Sequence, residues 1–527
     1  MDAKTGPTVA SRRHFLAGCG ASAALVASCA ARAQVGAGPV VTTRDGQLRG
    51  TLEDGVQVFR GIPYGAPTSG AGRFQPPAPV TPWAGIREAV AFGPTAPQLA
   101  PPGGTGAPDQ SEDCLVLNVW TPATGDGGKR PVMFWAHGGG LSLGSGADRF
   151  TQGLRLAKIH DVVLVTINHR LNVFGYLYFG DLMPAGATTP NVGQLDLVAG
   201  LRWVRDNIAQ FGGDPDNVTI FGHSGGGTKV GGLMAMPTAR GLFSKAIEQS
   251  GFGTYAVSQT EGRAVAEQML HALDVRQGDL AALQAVPTAR MLAALQEITH
   301  GYPMGGPGMT PDGVVMPQIP FAPDASTISP DIPMLVGHAE TETTVLFPVE
   351  GAFTLDWPGL DKALQGAMRD PAAFIAAMRA LRPEASASDI YFAITTEIGM
   401  GRNARIVAEK RAAAGTAPVH AYLVSWRTPL RHGELRSPHG VEVPMVFDSV
   451  GAFHGELGTR TPDAQRLADI MSRMWVNFAR TGDPNGAGLP DWPAYDAPRR
   501  ATMIFDDHCV ARDDPLGAVQ ALVAKYG

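Results

Sequence analysis

Ser224 stands in the run Gly222-His223-Ser224-Gly225-Gly226, a G-x-S-x-G pentapeptide that follows directly on the apolar segment VTIF at 218–221. The spacing has a steric meaning. A serine presented on a sharp turn between a strand and a helix brings the backbone on either side of it into close contact, so the residues two before and two after must lack side chains, and Gly222 and Gly226 do. A hydroxyl is a weak nucleophile at neutral pH. It needs a base, a group that orients the base, and donors for the oxyanion formed when it attacks an acyl carbon. His137-Gly138-Gly139-Gly140, after the apolar segment VMFWA at 132–136, offers the donors, because a glycine loop lets backbone N–H groups approach a substrate with no Cβ in the way. Gly139 and Gly140, with the N–H of Gly225, are expected to form an oxyanion hole. In a chain with 66 glycines either motif alone matches easily by chance; two on successive strands support each other.

The acid and base must come from later in the chain. The segment PMLVG at 333–337 leads into His338-Ala339-Glu340-Thr341-Glu342, with two carboxylates, and HAYLVSW at 420–426 leads into a loop with His432 and His439. Periodicity does not choose within either pair. The elements that must position these groups are legible as short β-branched runs, at 132–136, 162–167, 218–221, 245–249, 333–337 and 420–426, alternating with helical patterns. Strands this apolar suit a central, mostly parallel sheet with helices on both faces, an α/β fold. The segment 192–212 has apolar residues at helical spacing and ends at Gly212-Gly213, as a crossover helix into the strand at 218 should.

Composition narrows the alternatives. Hydrophobic residues make up 44% of the 527 and charged ones 17%, ordinary values for a chain with a core, and Gly plus Pro amount to roughly a fifth, too few for low complexity. With 42 basic against 48 acidic residues no footprint for nucleic acid stands out. Arg12-Arg13 before Phe15-Leu16 and a small, apolar run to Ala31 reads as a twin-arginine export signal over residues 1–33, too short and too rich in Ala, Gly and Ser for a membrane span. Cleavage after Ala31-Arg32-Ala33 leaves Gln34 first; a lipobox reading of Val26-Ala27-Ser28-Cys29 leaves a lipid-anchored Cys29 instead. The protein is thus expected to be exported, periplasmic or secreted, or an outer-membrane lipoprotein. Residues 34–527 read as a single domain, whose only cysteines are Cys114 and Cys509, which excludes a disulfide scaffold.

Further runs are spread from end to end: FRGIPY at 59–64, SEDCLVLNV at 111–119, GGDPDNVTIFGHSGG at 212–226, Gln249-Ser250-Gly251, FARTGDPN at 478–485 and WPAY at 492–495. With these and the HGGG loop the chain resembles the type-B carboxylesterase/lipase family, the bacterial carboxylesterases related to cholinesterases. The resemblance implies an α/β-hydrolase fold and hydrolysis of a small-molecule ester through an acyl-enzyme, with no metal or cofactor. It implies Glu342 as the acid, five residues after the glycine ending its strand, although the family's flanking Asp and Gly are missing. It implies His439, in His439-Gly440-Val441-Glu442, as the base, with Glu340 as the reserve acid and His432 on the loop surface. Ser250 and Glu442 match the family's supporting serine and glutamate, and His223 stands where many relatives carry a glutamate. The resemblance makes Glu112-Asp113 structural, and Cys114 lacks the upstream cysteine that family members pair with it, which favours a free buried thiol.

The substrate is not legible. The segments 300–313 and 345–400 are the least family-like and are expected to shape the pocket entrance. Arg427, Arg431, His432 and Arg436 form a positive run that would favour anionic esters if it faced the site. Amide, thioester or lactone hydrolysis by the same machinery is the alternative activity, and a non-catalytic binding protein of the same fold the alternative class. The oligomeric state stays open.

Overall fold

The computed structural model describes residues 38–100, 109–346, 348–415, 417–451 and 457–527; the expected export signal, both cleavage sites and Cys29 lie outside them. Gly38–Gly527 forms one unit. Its main sheet grows from the apolar runs. The strands are β1 (Thr51–Glu53), β2 (Val56–Pro63), β3 (Val116–Thr121), β4 (Arg130–Ala136), β5 (Val163–Ile167), β6 (Gly213–His223), β7 (Lys245–Gln249), β8 (Met334–Ala339), β9 (Val419–Val424), β10 (Ala501–Phe505) and β11 (Val510–Asp513). They lie in the order β1-β2-β3-β5-β4-β6-β7-β8-β9-β10-β11. From β5 through β10 every pairing is parallel. The edge pairings at both ends are antiparallel. Val40–Thr42, Gln47–Arg49 and Ile86–Glu88 make a separate small sheet.

Alternate residues of one strand serve two cores, which is why the central strands are apolar throughout. On β4, Val132 and Phe134 join the cluster that includes Leu197, Leu201 and Val204 of helix α1 (Val192–Asn207). Met133 and Trp135 join the opposite cluster, with Met471, Met474 and Trp475 of helix α5 (Pro462–Thr481). Between these helices in the chain come α2 (Gly225–Met234), α3 (Ala387–Thr396) and α4 (Arg402–Ala414). Helix α1 stops at Asn207; Ile208–Phe211 tightens into a 3₁₀ turn and Gly212, at φ 73°, ends it, so the expected 192–212 helix is α-helical over its first sixteen residues. Thr461 caps α5 by accepting the Ala464 N–H, and Gly482 at φ 84° ends it. Among the described residues no helix is long and apolar enough to cross a membrane.

Glu112 binds the Arg73 guanidinium through both oxygens, at 2.5 and 2.8 Å, and accepts from Thr288, so it is structural. Cys114 is a buried free thiol and Cys509 is also unpaired; burial pushes both thiols up in pKa.

Candidate active site

Strand β6 ends at His223 and α2 begins at Gly225, leaving Ser224 alone in the turn at φ 59°, ψ −123°. That conformation is costly for a residue with a Cβ and persists because the surroundings enforce it. A Cβ on Gly222 would lie 2.6 Å from the Ala136 carbonyl oxygen, and one on Gly226 only 2.0 Å from it. The Ser224 N–H donates to the Gln249 carbonyl at 2.8 Å, which ties the turn to β7. As the first residue of α2, Gly225 presents an N–H with no intrahelical partner, at the positive end of the helix dipole. The HGGG loop leaves the end of the neighbouring β4. Gly139 and Gly140 lie at φ 86° and 63°, and the Leu143 N–H holds the Gly139 carbonyl at 2.9 Å.

Glu342 follows β8 in a short 3₁₀ turn and is fully buried. Its Oε1 accepts from the Ala339 N–H at 2.8 Å and the Ser250 hydroxyl at 2.6 Å; its Oε2 meets Nδ1 of His439. Burial works to raise its pKa, but the charge of His439 and these hydrogen bonds outweigh burial and hold the carboxylate down to about 2. Glu340 faces elsewhere: it pairs with Arg382 at 3.7 Å and lines a separate surface cleft. His432 is exposed. The geometry thus separates both pairs that the sequence left open.

Beneath His439 is a second buried layer. Its ring lies 4.3 Å from that of His223, whose Nε2 is 3.8 Å from Glu442 Oε1. Ser250, in left-handed backbone at φ 49°, also reaches Glu442 Oε1, at 3.5 Å. Burial and then the His439 charge drive the His223 pKa well down. Burial and then the Glu342 charge push Glu442 up to about 7. One ionised carboxylate, Glu342, therefore serves His439 while Glu442 is held largely protonated below neutrality.

Two cavities meet at Ser224. One, about 470 Å³, is lined by His439, His223, Trp135, Leu143, Phe150 and Val443. The other, about 420 Å³, is lined by Gly140, Gly225, Phe252, Tyr255, Val257 and Met400. Met304 and Leu346 border both, so the segments 300–313 and 345–400 do reach the site. The basic run does not. Arg436 bonds Asp389 at 2.6 Å and Arg427 lies 3.9 Å from it, while Arg431 pairs with Glu434 at 3.3 Å. Sequence reasoning missed the Ala339 N–H, Trp135 and Phe252, whose positions depend on which strands become neighbours. Among the described residues no group of three or more His, Cys, Asp or Glu is placed to hold a metal ion.

Residues 37–516 match the model of the Carboxylesterase family. The chain belongs to that family. The para-nitrobenzyl esterase of Bacillus subtilis is 34% identical over 90% of this chain and 96% of that protein. The phenmedipham hydrolase of Pseudarthrobacter oxydans is 34% identical over 90% of this chain and 97% of its own. The crystal structure of a Geobacillus stearothermophilus carboxylesterase superposes with a TM-score of 0.81 at 38% identity, covering 92% of this chain and 99% of that one. The family settles the fold as α/β-hydrolase and the activity as hydrolysis of carboxylic esters.

Proposed function

We propose that this carboxylesterase works by a Ser224-His439-Glu342 triad through an acyl-enzyme. The observation that carries the reading is the buried Glu342 carboxylate on His439 Nδ1, with His439 and Ser224 lining one cavity. Bonding at Nδ1 leaves Nε2 as the basic atom. Nε2 takes the Ser224 proton as Oγ adds to the ester carbon, and the carbonyl electron pair moves to oxygen. The backbone N–H groups of Gly139, Gly140 and Gly225 receive that oxyanion. Collapse expels the alcohol, protonated by His439, and water then repeats the sequence on the acyl-enzyme. Ser250 holds Glu342 in place, with His223 and Glu442 as the supporting layer beneath.

Because the alcohol must leave beside the imidazolium, the cavity lined by His439 suits the alcohol and the one beyond Gly225 suits the acyl group. Both are mainly apolar, which supports small organic esters such as para-nitrobenzyl or p-nitrophenyl esters as substrates. The test is Ser224→Ala, which should keep the wild-type melting temperature and lose p-nitrophenyl butyrate turnover by several orders of magnitude. Near wild-type turnover by the pure variant rejects the triad.

Export through residues 1–33 is part of the proposal and rests on the Arg12-Arg13 signal. Mass spectrometry of the protein from its host should find an N-terminus at Gln34, or a diacylglyceryl Cys29 if the lipobox is read. An intact residue 1 rejects both.

A further inference from the structure

Lys229, the fifth residue of α2, is fully buried. Among the described residues it forms no ion pair, and its one side-chain hydrogen bond runs from Nζ to the His137 carbonyl at 2.9 Å. Burial brings the amine down to about 7 in pKa. A lysine in this setting is unfavourable for stability, since an ammonium taken from water is left with a single neutral acceptor. The residue it grips gives it a purpose. His137 opens the HGGG loop, and glycines offer no side chains by which the rest of that loop can be anchored. The side-chain ties of His137 do not reach α2: Nδ1 meets the Gly138 carbonyl at 2.9 Å, and the ring stacks at 4.7 Å on His169, just past the end of β5.

The loop and the start of α2 are the two backbone pieces expected to supply the oxyanion donors, and they must keep a fixed distance. They touch where a Cβ on Gly226 would lie 2.0 Å from the Ala136 oxygen and 3.0 Å from the His137 oxygen. Lys229 spans the same seam one helical turn further on. We propose that Lys229 is a positioning residue for the oxyanion hole, fixing the His137–Gly138 peptide plane and through it the direction in which the Gly139 and Gly140 N–H groups point. This rests on the oxyanion assignment above.

The test is Lys229→Met, which keeps the length of the side chain and removes the donor. The expected result is a kcat about 10- to 100-fold lower with KM within about twofold, because misplaced donors weaken the transition state more than the ground state. Affinity for a trifluoromethyl ketone should fall by a similar factor. Its carbon bonds Ser224 Oγ, the serine proton passes to His439, and the carbonyl oxygen takes the electron pair into the hole. The melting temperature should stay level or rise, since an apolar isostere relieves the buried amine. A merely structural lysine would instead lower the melting temperature and leave kcat alone. Wild-type kcat and ketone affinity in Lys229→Met overturn the proposal while leaving the Ser224→Ala result untouched. Should Lys229→Met not fold, Lys229→Gln decides by the same measurements, and failure of both to fold overturns the positioning role.

Discussion

His223 Nε2 lies 3.8 Å from Glu442 Oε1, and the His223 ring packs against His439 at 4.3 Å. The residue before Ser224 thus separates the buried Glu442 from His439 without carrying a charge of its own, since burial holds His223 neutral. It also borders the cavity assigned to the alcohol.

His223→Glu should therefore add a third carboxylate to Glu342 and Glu442 and draw cationic alcohols. Relative kcat/KM for a choline ester over its dimethylbutyl analogue should rise a few-fold to tenfold, about 1 kcal/mol after screening by pocket water. The rise should shrink at low pH as the crowded carboxylates protonate. An unchanged ratio between the two enzymes at pH 8 would remove His223 from the substrate surface.

Glu342→Gln should cut kcat by about 10² to 10⁴ while Glu340→Gln changes it less than twofold, because only Glu342 meets His439 Nδ1 and offsets the imidazolium. Glu340 is bound to Arg382 across solvent-accessible surface. The opposite ranking in steady-state kinetics would transfer the acid's role to Glu340.

Glu442 makes stability depend on pH with a definite sign. Its folded value, about 7, lies above the usual carboxylate value of 4.5, so between these limits the folded state holds a proton that the unfolded state releases. The stabilisation is complete below about pH 4.5 and is lost as pH rises through about 7. Urea midpoints of the wild type should fall across that window relative to Glu442→Gln, which cannot titrate. Parallel curves for the two proteins would show that Glu442 is already ionised at pH 5.

The turn at Ser224 was readable because its steric demand shows in two residue types: Gly222 and Gly226 are small since backbone, including the Ala136 carbonyl of β4, lies within 2.6 Å of their Cβ positions. The central strands were readable for a related reason, as each run is buried on both faces. The choice of Glu342 over Glu340 was not, since the turn after β8 decides which carboxylate points inward, and only the family resemblance made it. Lys229 gave no signal at all. A lysine among glycines reads as an exposed polar residue, and its burial depends on α2 packing against a loop some ninety positions earlier in the chain. The outermost strands β1 and β11 were equally silent, being three and four residues long and partly exposed.

In the proposed mechanism Ser224 is the nucleophile, activated by His439 and Glu342. The most direct test is intact-mass and peptide mapping after reaction with a fluorophosphonate, whose phosphorus bonds Oγ as fluoride leaves. The expected result is one adduct per chain, on Ser224, formed in step with loss of esterase activity and slowed by at least a hundredfold in Glu342→Gln. Adducts on another residue, or full inactivation with Ser224 unmodified, would contradict it.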